Sequence, residues 1–128
     1  MRVLLDTHLL IWSVAGSRRV PRTAATIAAD PDNQVLFSAI SIAEAAIKFA
    51  LRRPDFTVDP RVLRRALRDT GFEELPPSGE HALELANLPT IHKDPFDRLL
   101  VAQARSEGVL LLTSDPAVAR YGSPARLV

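Results

Sequence analysis

"DPFDRLLVAQARSEGVLLLTSDP", residues Asp94 to Pro116, holds a complete passage from helix to strand. Asp94 followed by Pro95 is a helix entry. An Asp at the cap accepts from the exposed amides of the first turn, and a Pro at the first helical position gives up no hydrogen bond. Gly108 is the matching exit. "VLLLT", Val109 to Thr113, is then a short unbroken apolar run, the pattern of a strand buried on both faces. Such strands belong to parallel sheets covered by helices, so this stretch predicts an α/β fold.

The rest of the chain repeats the alternation. "RVLLD" is a short buried strand ending at Asp6, followed by the helix "THLLIWSVAG" with Gly16 at its stop. "PRTAATIAADP" is a short Ala-rich helix entered at a proline, and "NQVLFSA" is the next strand. "SIAEAAIKFALRR" reads as a helix closed by Pro54, "DPRVLRRALRDTG" as an amphipathic helix, "FEELP" as a third strand and "GEHALELANLP" as a further helix. After the decisive stretch come a turn or two of helix in "PAVARYG" and an edge strand in "ARLV". Alternating strands and helices predict a parallel sheet with helices on both faces, which binds ligands beyond the carboxyl ends of its strands.

Composition bounds what such a fold does. A chain of 128 residues is expected to form one domain over 1–128. With 47% apolar and 24% charged residues it is globular and not disordered. No apolar run approaches a bilayer span, and "MRVLLDTHLL" lacks the long apolar core of a secretory signal. The expected location is the cytoplasm. With no cysteine, any metal must be held by oxygen or imidazole. The net charge of +1 conceals grouped arginines, among them Arg61, Arg64, Arg65 and Arg68. Their spacing puts them on one helical face opposite Val62, Leu63, Ala66 and Leu67, which reads first as a solvated surface and second as a nucleic-acid contact.

Four acids occupy strand ends and first helical turns. Asp6 ends the first strand and Asp115 follows "VLLLT" closely, while Glu44 and Asp97 are placed in the first turns of their helices. If the strands are parallel neighbours these carboxylates converge, as a hard cation such as Mg²⁺ or Mn²⁺ requires. Each acid also has a plainer role. Ser41 and Glu44 fit a capping box, Asp97 meets the positive end of a helix dipole, and Asp115 before Pro116 is a cap. Asp6 is harder to assign to structure, because burying an unpaired acid at a strand end costs several kcal/mol or forces protonation. Asp94 suffices as the cap of its helix, so Asp97 is available to a ligand.

The stretches "LLDTHLLIW", "SIAEAAIK", "LPTIHKDPFDRLLVAQA" and "LLTSDPAVARYG", in this order, resemble PIN domain ribonucleases, most closely the VapC toxins of toxin–antitoxin pairs. The resemblance runs from Val3 to about Gly122, with "DPFDRLLVAQA" its most specific part. It implies a three-layer α/β/α sandwich on a parallel sheet. It also implies a Mg²⁺-dependent endoribonuclease in which Mn²⁺ substitutes, with RNA as substrate, silenced by a VapB-type antitoxin and assembled as a homodimer. By that resemblance Asp6, Glu44, Asp97 and Asp115 form the catalytic set, with Asp6, Asp97 and Asp115 as metal ligands. One position departs from the pattern: many relatives carry a large aromatic where this chain has Ala43.

Several residues stand beside this set. Thr7 and Thr113 are candidates for orienting carboxylates, against ordinary roles at turns or helix starts. Lys48, four residues after Glu44, is by default a helix ion pair and otherwise a phosphate-placing or Glu44-steering group. His8, His81 and His92 show no metal-ligand spacing and are assigned to surface or helix-start positions. Trp12 is assigned to the core or an interface. A phospho-receiver domain has a related fold but needs a Lys after its last strand, and "ARLV" supplies none. A PIN-like domain that binds RNA or protein without cleaving it is the remaining alternative.

Overall fold

In the computed structural model, which describes residues 1–128, strand β1 (Arg2–Leu5) lies at the centre of a five-stranded sheet. It is followed by helices α1 (Thr7–Val14) and α2 (Arg22–Ala29), strand β2 (Gln34–Ser38), helices α3 (Ala39–Ala50) and α4 (Pro60–Asp69), and strand β3 (Glu73–Leu75). Helix α5 (Gly79–Glu84) runs into a 3-10 turn, and α6 (Pro95–Glu107), β4 (Leu110–Thr113), α7 (Pro116–Ala119) and β5 (Ala125–Leu127) complete the chain. Sheet order is β3-β2-β1-β4-β5 and every pairing is parallel. The expected three-layer α/β/α sandwich on a parallel sheet is what the chain forms.

Alternation along β1 divides the core in two. Val3 and Leu5 pack with Leu9, Leu10, Phe37, Leu63 and Leu67 on the side of α1, α2 and α4. Leu4 points the other way and packs with Leu36, Leu100, Val101, Leu111 and Val118 on the side of α6 and α7. Strand residues point alternately to opposite faces, so a continuous apolar run fills both layers. This explains why "VLL" and "LLL" read as strands without polar alternation. Burying Leu4, Leu36 and Leu111 fully contributes about 1.5–3 kcal/mol each.

The helix boundaries show which local signals prevailed. Asp94 caps α6 as expected, accepting from the amides of Phe96 at 2.9 Å and Asp97 at 3.1 Å. Gly108 ends the same helix at φ 65°, in the left-handed region where glycine carries no Cβ penalty. The Ser41–Glu44 capping box is not formed. Helix α3 begins earlier, capped by Ser38, which places Glu44 in its second turn. Ser41 is instead buried against Thr7. On α4, Leu63 and Leu67 are buried as expected, but Val62 is 58% exposed and lies outside the dry face. No helix is long and apolar enough to cross a membrane.

Candidate active site at the carboxyl edge of the sheet

Parallel strands present their carboxyl ends at one edge, and the register of β1 against β4 aligns Leu5 with Leu112. The next residue on each strand therefore sits side by side: Asp6 after β1 and Thr113 at the end of β4. Asp6 is buried, and both of its oxygens are engaged. Oδ1 accepts from the Leu9 amide at 3.0 Å and caps α1, while Oδ2 accepts from Thr113 Oγ1 at 2.6 Å and from the Ser114 amide at 3.4 Å. Burial pushes the Asp6 carboxyl above its ordinary range, against the opposing pull of the Thr113, Leu9 and Ser114 hydrogen bonds. Asp6, the acid hardest to assign to structure from the sequence, is therefore a helix cap as well.

Thr113 joins two of the acids. Its hydroxyl donates to Asp6 and accepts the amide of Asp115 at 3.0 Å. Asp115 in turn caps α7, its Oδ1 accepting from the Ala117 amide at 2.9 Å. Thr113 thus orients a carboxylate, whereas Thr7 does not. Its hydroxyl donates to Ser41 at 2.9 Å, fastening α1 to α3.

The other two acids form a second group. Glu44 projects from α3 and Asp97 from the first turn of α6, and the Asp97 carboxyl feels the charge of Glu44. Burial, then the charges of Asp94 and Glu44, raise Asp97 from 3.8 to about 6, opposed by the hydrogen bond from His92. Glu44 is buried, with Oε2 held by Lys48 Nζ at 2.6 Å and Oε1 left with no hydrogen-bond partner. The Lys48 ammonium lies 4.9 Å from the ring centre of Phe56 and 5.6 Å from that of Phe96. The default helix ion pair is real, and two aromatic faces fix its cation.

The four acids therefore form two groups: Asp6 with Asp115 through Thr113 at the carboxyl ends of β1 and β4, and Glu44 with Asp97 on α3 and α6. In this arrangement no three acidic or imidazole side chains stand close enough together to enclose a metal ion. The donor set nevertheless fits a hard divalent cation. It offers oxygen ligands only, two of its carboxyls are held above their ordinary range, and a buried carboxylate oxygen lacks a partner.

One feature of the site escaped the sequence. His92 bridges Asp97 and Tyr121, with Nε2 3.2 Å from Asp97 Oδ2 and Nδ1 2.8 Å from the Tyr121 hydroxyl. Its only signal is an imidazole five residues before Asp97 with Pro95 turning the chain between them. His81 is buried and completes the capping box of α5 with Ser78. His8 is half-buried beside exposed Asp55, and Trp12 is half-buried against the core under α1.

The comparisons with known proteins agree with this fold. The chain is similar in structure to VapBC2 from Rickettsia felis bound to a DNA fragment from their promoter, with TM-score 0.70, 16% identity, and 100% of this chain and 98% of that one covered. It is similar to a toxin-antitoxin complex from Klebsiella pneumoniae, with TM-score 0.64, 20% identity and coverage of 97% and 95%. VapBC-1 from nontypeable Haemophilus influenzae gives TM-score 0.66, 20% identity and coverage of 100% and 97%. Among curated proteins none matches. The PIN domain model matches residues 3–124, nearly the whole of the sheet and its helices, and the chain belongs to the PIN domain family.

Proposed function

We propose that this chain is a VapC-type toxin, a metal-dependent endoribonuclease that hydrolyses RNA phosphodiester bonds. The observation that carries this reading is the acid set itself: Asp6 tied to Asp115 through Thr113, and Glu44 set against Asp97, with Glu44 Oε1 buried and unpartnered. A buried carboxylate oxygen without a donor is expensive in a purely structural role, and a function explains its retention. Asp6, Asp97 and Asp115 would hold Mg²⁺, or Mn²⁺ in its place, which supplies polarisation of the scissile phosphate and a more acidic water. The chain's own groups do the positioning. Thr113 fixes the Asp6 carboxylate, Lys48 pins one oxygen of Glu44, and the free Oε1 is the acceptor that orients an attacking water. Direct attack by water needs no covalent intermediate.

An antitoxin partner follows from the same reading. Between α3 and α4 lies a groove of about 740 Å³ whose floor includes Ile42 and Ala46 and whose rim carries Arg61, Arg64, Arg65 and Arg68. An amphipathic helix with acidic flanks suits that surface. The similar solved structures, which include a toxin-antitoxin complex, support the choice of partner.

Cleavage of a mixed RNA pool by the purified chain, with EDTA and with Mg²⁺ restored, tests the activity. We expect cleavage only with the cation, and none from Asp97→Asn in either condition. RNA binding without cleavage in any metal would establish the non-catalytic alternative. Co-expression with an adjacent small gene should restore growth and co-purify its product; failure of both means that the partner is encoded elsewhere or that the toxin assignment is wrong.

A further inference from the structure

We propose that Asp97 is aimed by a directional hydrogen-bond relay running from Arg98 through Tyr121 and His92, which makes these three positioning residues for the acidic site. The relay rests on the reading of Asp97 as a metal ligand given above. Its links are short: Arg98 Nη1 donates to the Tyr121 hydroxyl oxygen at 2.9 Å, that hydroxyl lies 2.8 Å from His92 Nδ1, and His92 Nε2 lies 3.2 Å from Asp97 Oδ2.

Donor and acceptor capacities give the chain a single direction. A guanidinium only donates, so the phenol oxygen must accept from Arg98. A neutral imidazole facing a carboxylate carries its proton on Nε2, which leaves Nδ1 as the acceptor of the Tyr121 hydroxyl hydrogen. The reverse tautomer would set the Nε2 lone pair against a carboxylate oxygen. Hydrogen bonds linked in one direction polarise and strengthen one another, more so where water is partly excluded. The His92 and Asp97 side chains are only about one-fifth exposed, at 19% and 20%.

The three residues come from separate segments, and their placement is reinforced. Arg98 Nη1 also donates to the Pro89 carbonyl at 3.0 Å, which fastens the loop carrying His92 to α6. The rings of His92 and Tyr121 meet edge to face at 5.4 Å, and the Arg98 guanidinium lies 6.0 Å from the Tyr121 ring centre. Asp97 requires such support because Asp94 and Glu44 both repel its charge. A donor fixed on Oδ2 opposes that repulsion and holds the carboxylate in place, with Oδ1 turned to other partners. Groups that orient a ligand in this way are typically worth about 10- to 100-fold in metal affinity.

The test uses the purified full chain with Mn²⁺ alone as probe, calorimetric titration for affinity, melting in EDTA for stability, and nitrogen-15 imidazole spectra for the tautomer. We expect the Nε2–H tautomer at His92 in the wild type. His92→Ala should lose roughly 10- to 100-fold in Mn²⁺ affinity. His92→Gln, whose amide donor reaches the place of Nε2, should recover most of it. Tyr121→Phe should weaken Mn²⁺ binding and release the tautomer preference while melting in EDTA like the wild type. An Nδ1–H tautomer in the wild type, wild-type affinity in both His92→Ala and Tyr121→Phe, or no rescue by Gln would overturn the relay. A wild type that binds no Mn²⁺ would instead remove the ligand role of Asp97. The relay would then stand or fall on the imidazole spectra of the wild type and Tyr121→Phe.

Discussion

Replacing Asp97 with Asn should make the metal-free protein more stable at neutral pH. The side chain keeps its size and still accepts from His92, while Asp94 continues to cap α6. What disappears is a charge disfavoured by burial and by the carboxylates of Asp94 and Glu44, which together raise Asp97 from 3.8 to about 6. At about 1.4 kcal/mol per tenfold, the full effect is about 3 kcal/mol; partial exposure reduces it to roughly 1.5–2 kcal/mol. The charge is also favoured at the start of a helix by roughly 0.5 kcal/mol, so the net gain is about 1–1.5 kcal/mol. For a chain of 128 residues this corresponds to a melting temperature about 5 °C higher. The pH dependence has a definite sign. Between the unfolded value near 4 and the folded value near 6, the wild-type native state binds more protons than the unfolded chain, so its stability falls as pH rises through that window. The advantage of Asp97→Asn should therefore be full above about pH 7 and vanish near pH 4. Thermal melts in EDTA across that range measure it. A variant that melts at or below the wild-type temperature at neutral pH would show that Asp97 serves the fold through its helix start and not a ligand at its expense.

The other perturbations separate the remaining roles. Asp94→Asn should keep the cap and spare activity while modestly stabilising the metal-free protein at neutral pH, because it removes one of the charges that repel Asp97, whereas Asp94→Ala should lose about 1 kcal/mol of capping in denaturant titrations. Thr113→Val removes the 2.6 Å donor to buried Asp6 and should cost about 1–3 kcal/mol. Because that bond favours the charged carboxylate, the loss should be larger at pH 7.5 than at pH 5, as paired melts would show. Mg²⁺ and Mn²⁺ should both raise the wild-type melting temperature, with stabilisation of about 2.7 kcal/mol at a concentration 100 times the dissociation constant. A flat response to both cations would count against the metal site.

Which parts of this were legible in the sequence depends on the range of the interactions concerned. The strands β1, β2 and β4 are visible because each is a short apolar run, and burial on both faces requires nothing else. The cap of α6 is visible because Asp94, Pro95 and their acceptor geometry lie within four residues. Local rules do not fix the start of α3, because Ser38 and Ser41 are both plausible caps. The choice is made by Thr7, which lies 34 residues from Ser41 and takes up its hydroxyl. His92 reads as a surface or helix-start residue for the same reason: its partner Tyr121 lies 29 residues away, and no local pattern announces the pairing. Long-range polar contacts decide the site, and a single sequence carries no periodicity for them.

Capping a helix and serving a site, first set against each other as explanations of these acids, are compatible because a carboxylate has two oxygens. Ionised, it offers about four acceptor positions, and a cap uses one. Asp115 spends Oδ1 on the Ala117 amide and leaves Oδ2 outside the chain's own hydrogen bonds. Asp6 spends Oδ1 on Leu9 and shares Oδ2 between Thr113 and Ser114. Asp97 and Glu44 cap nothing and carry the least compensated oxygens. This ordering decides where charge relief should be sought. At Asp6, an Asn would set amide hydrogens against the donors of Thr113, Leu9 or Ser114, so the lost charge is offset by a mismatched hydrogen bond. At Asp97 the only donor faces one oxygen, and Asn satisfies it without conflict. Asp6→Asn should therefore stabilise the metal-free protein less than Asp97→Asn, while both abolish the response to Mg²⁺. If Asp6→Asn stabilises more in EDTA, the dominant strain lies in burial at the end of β1 and not in the repulsion among Asp94, Asp97 and Glu44.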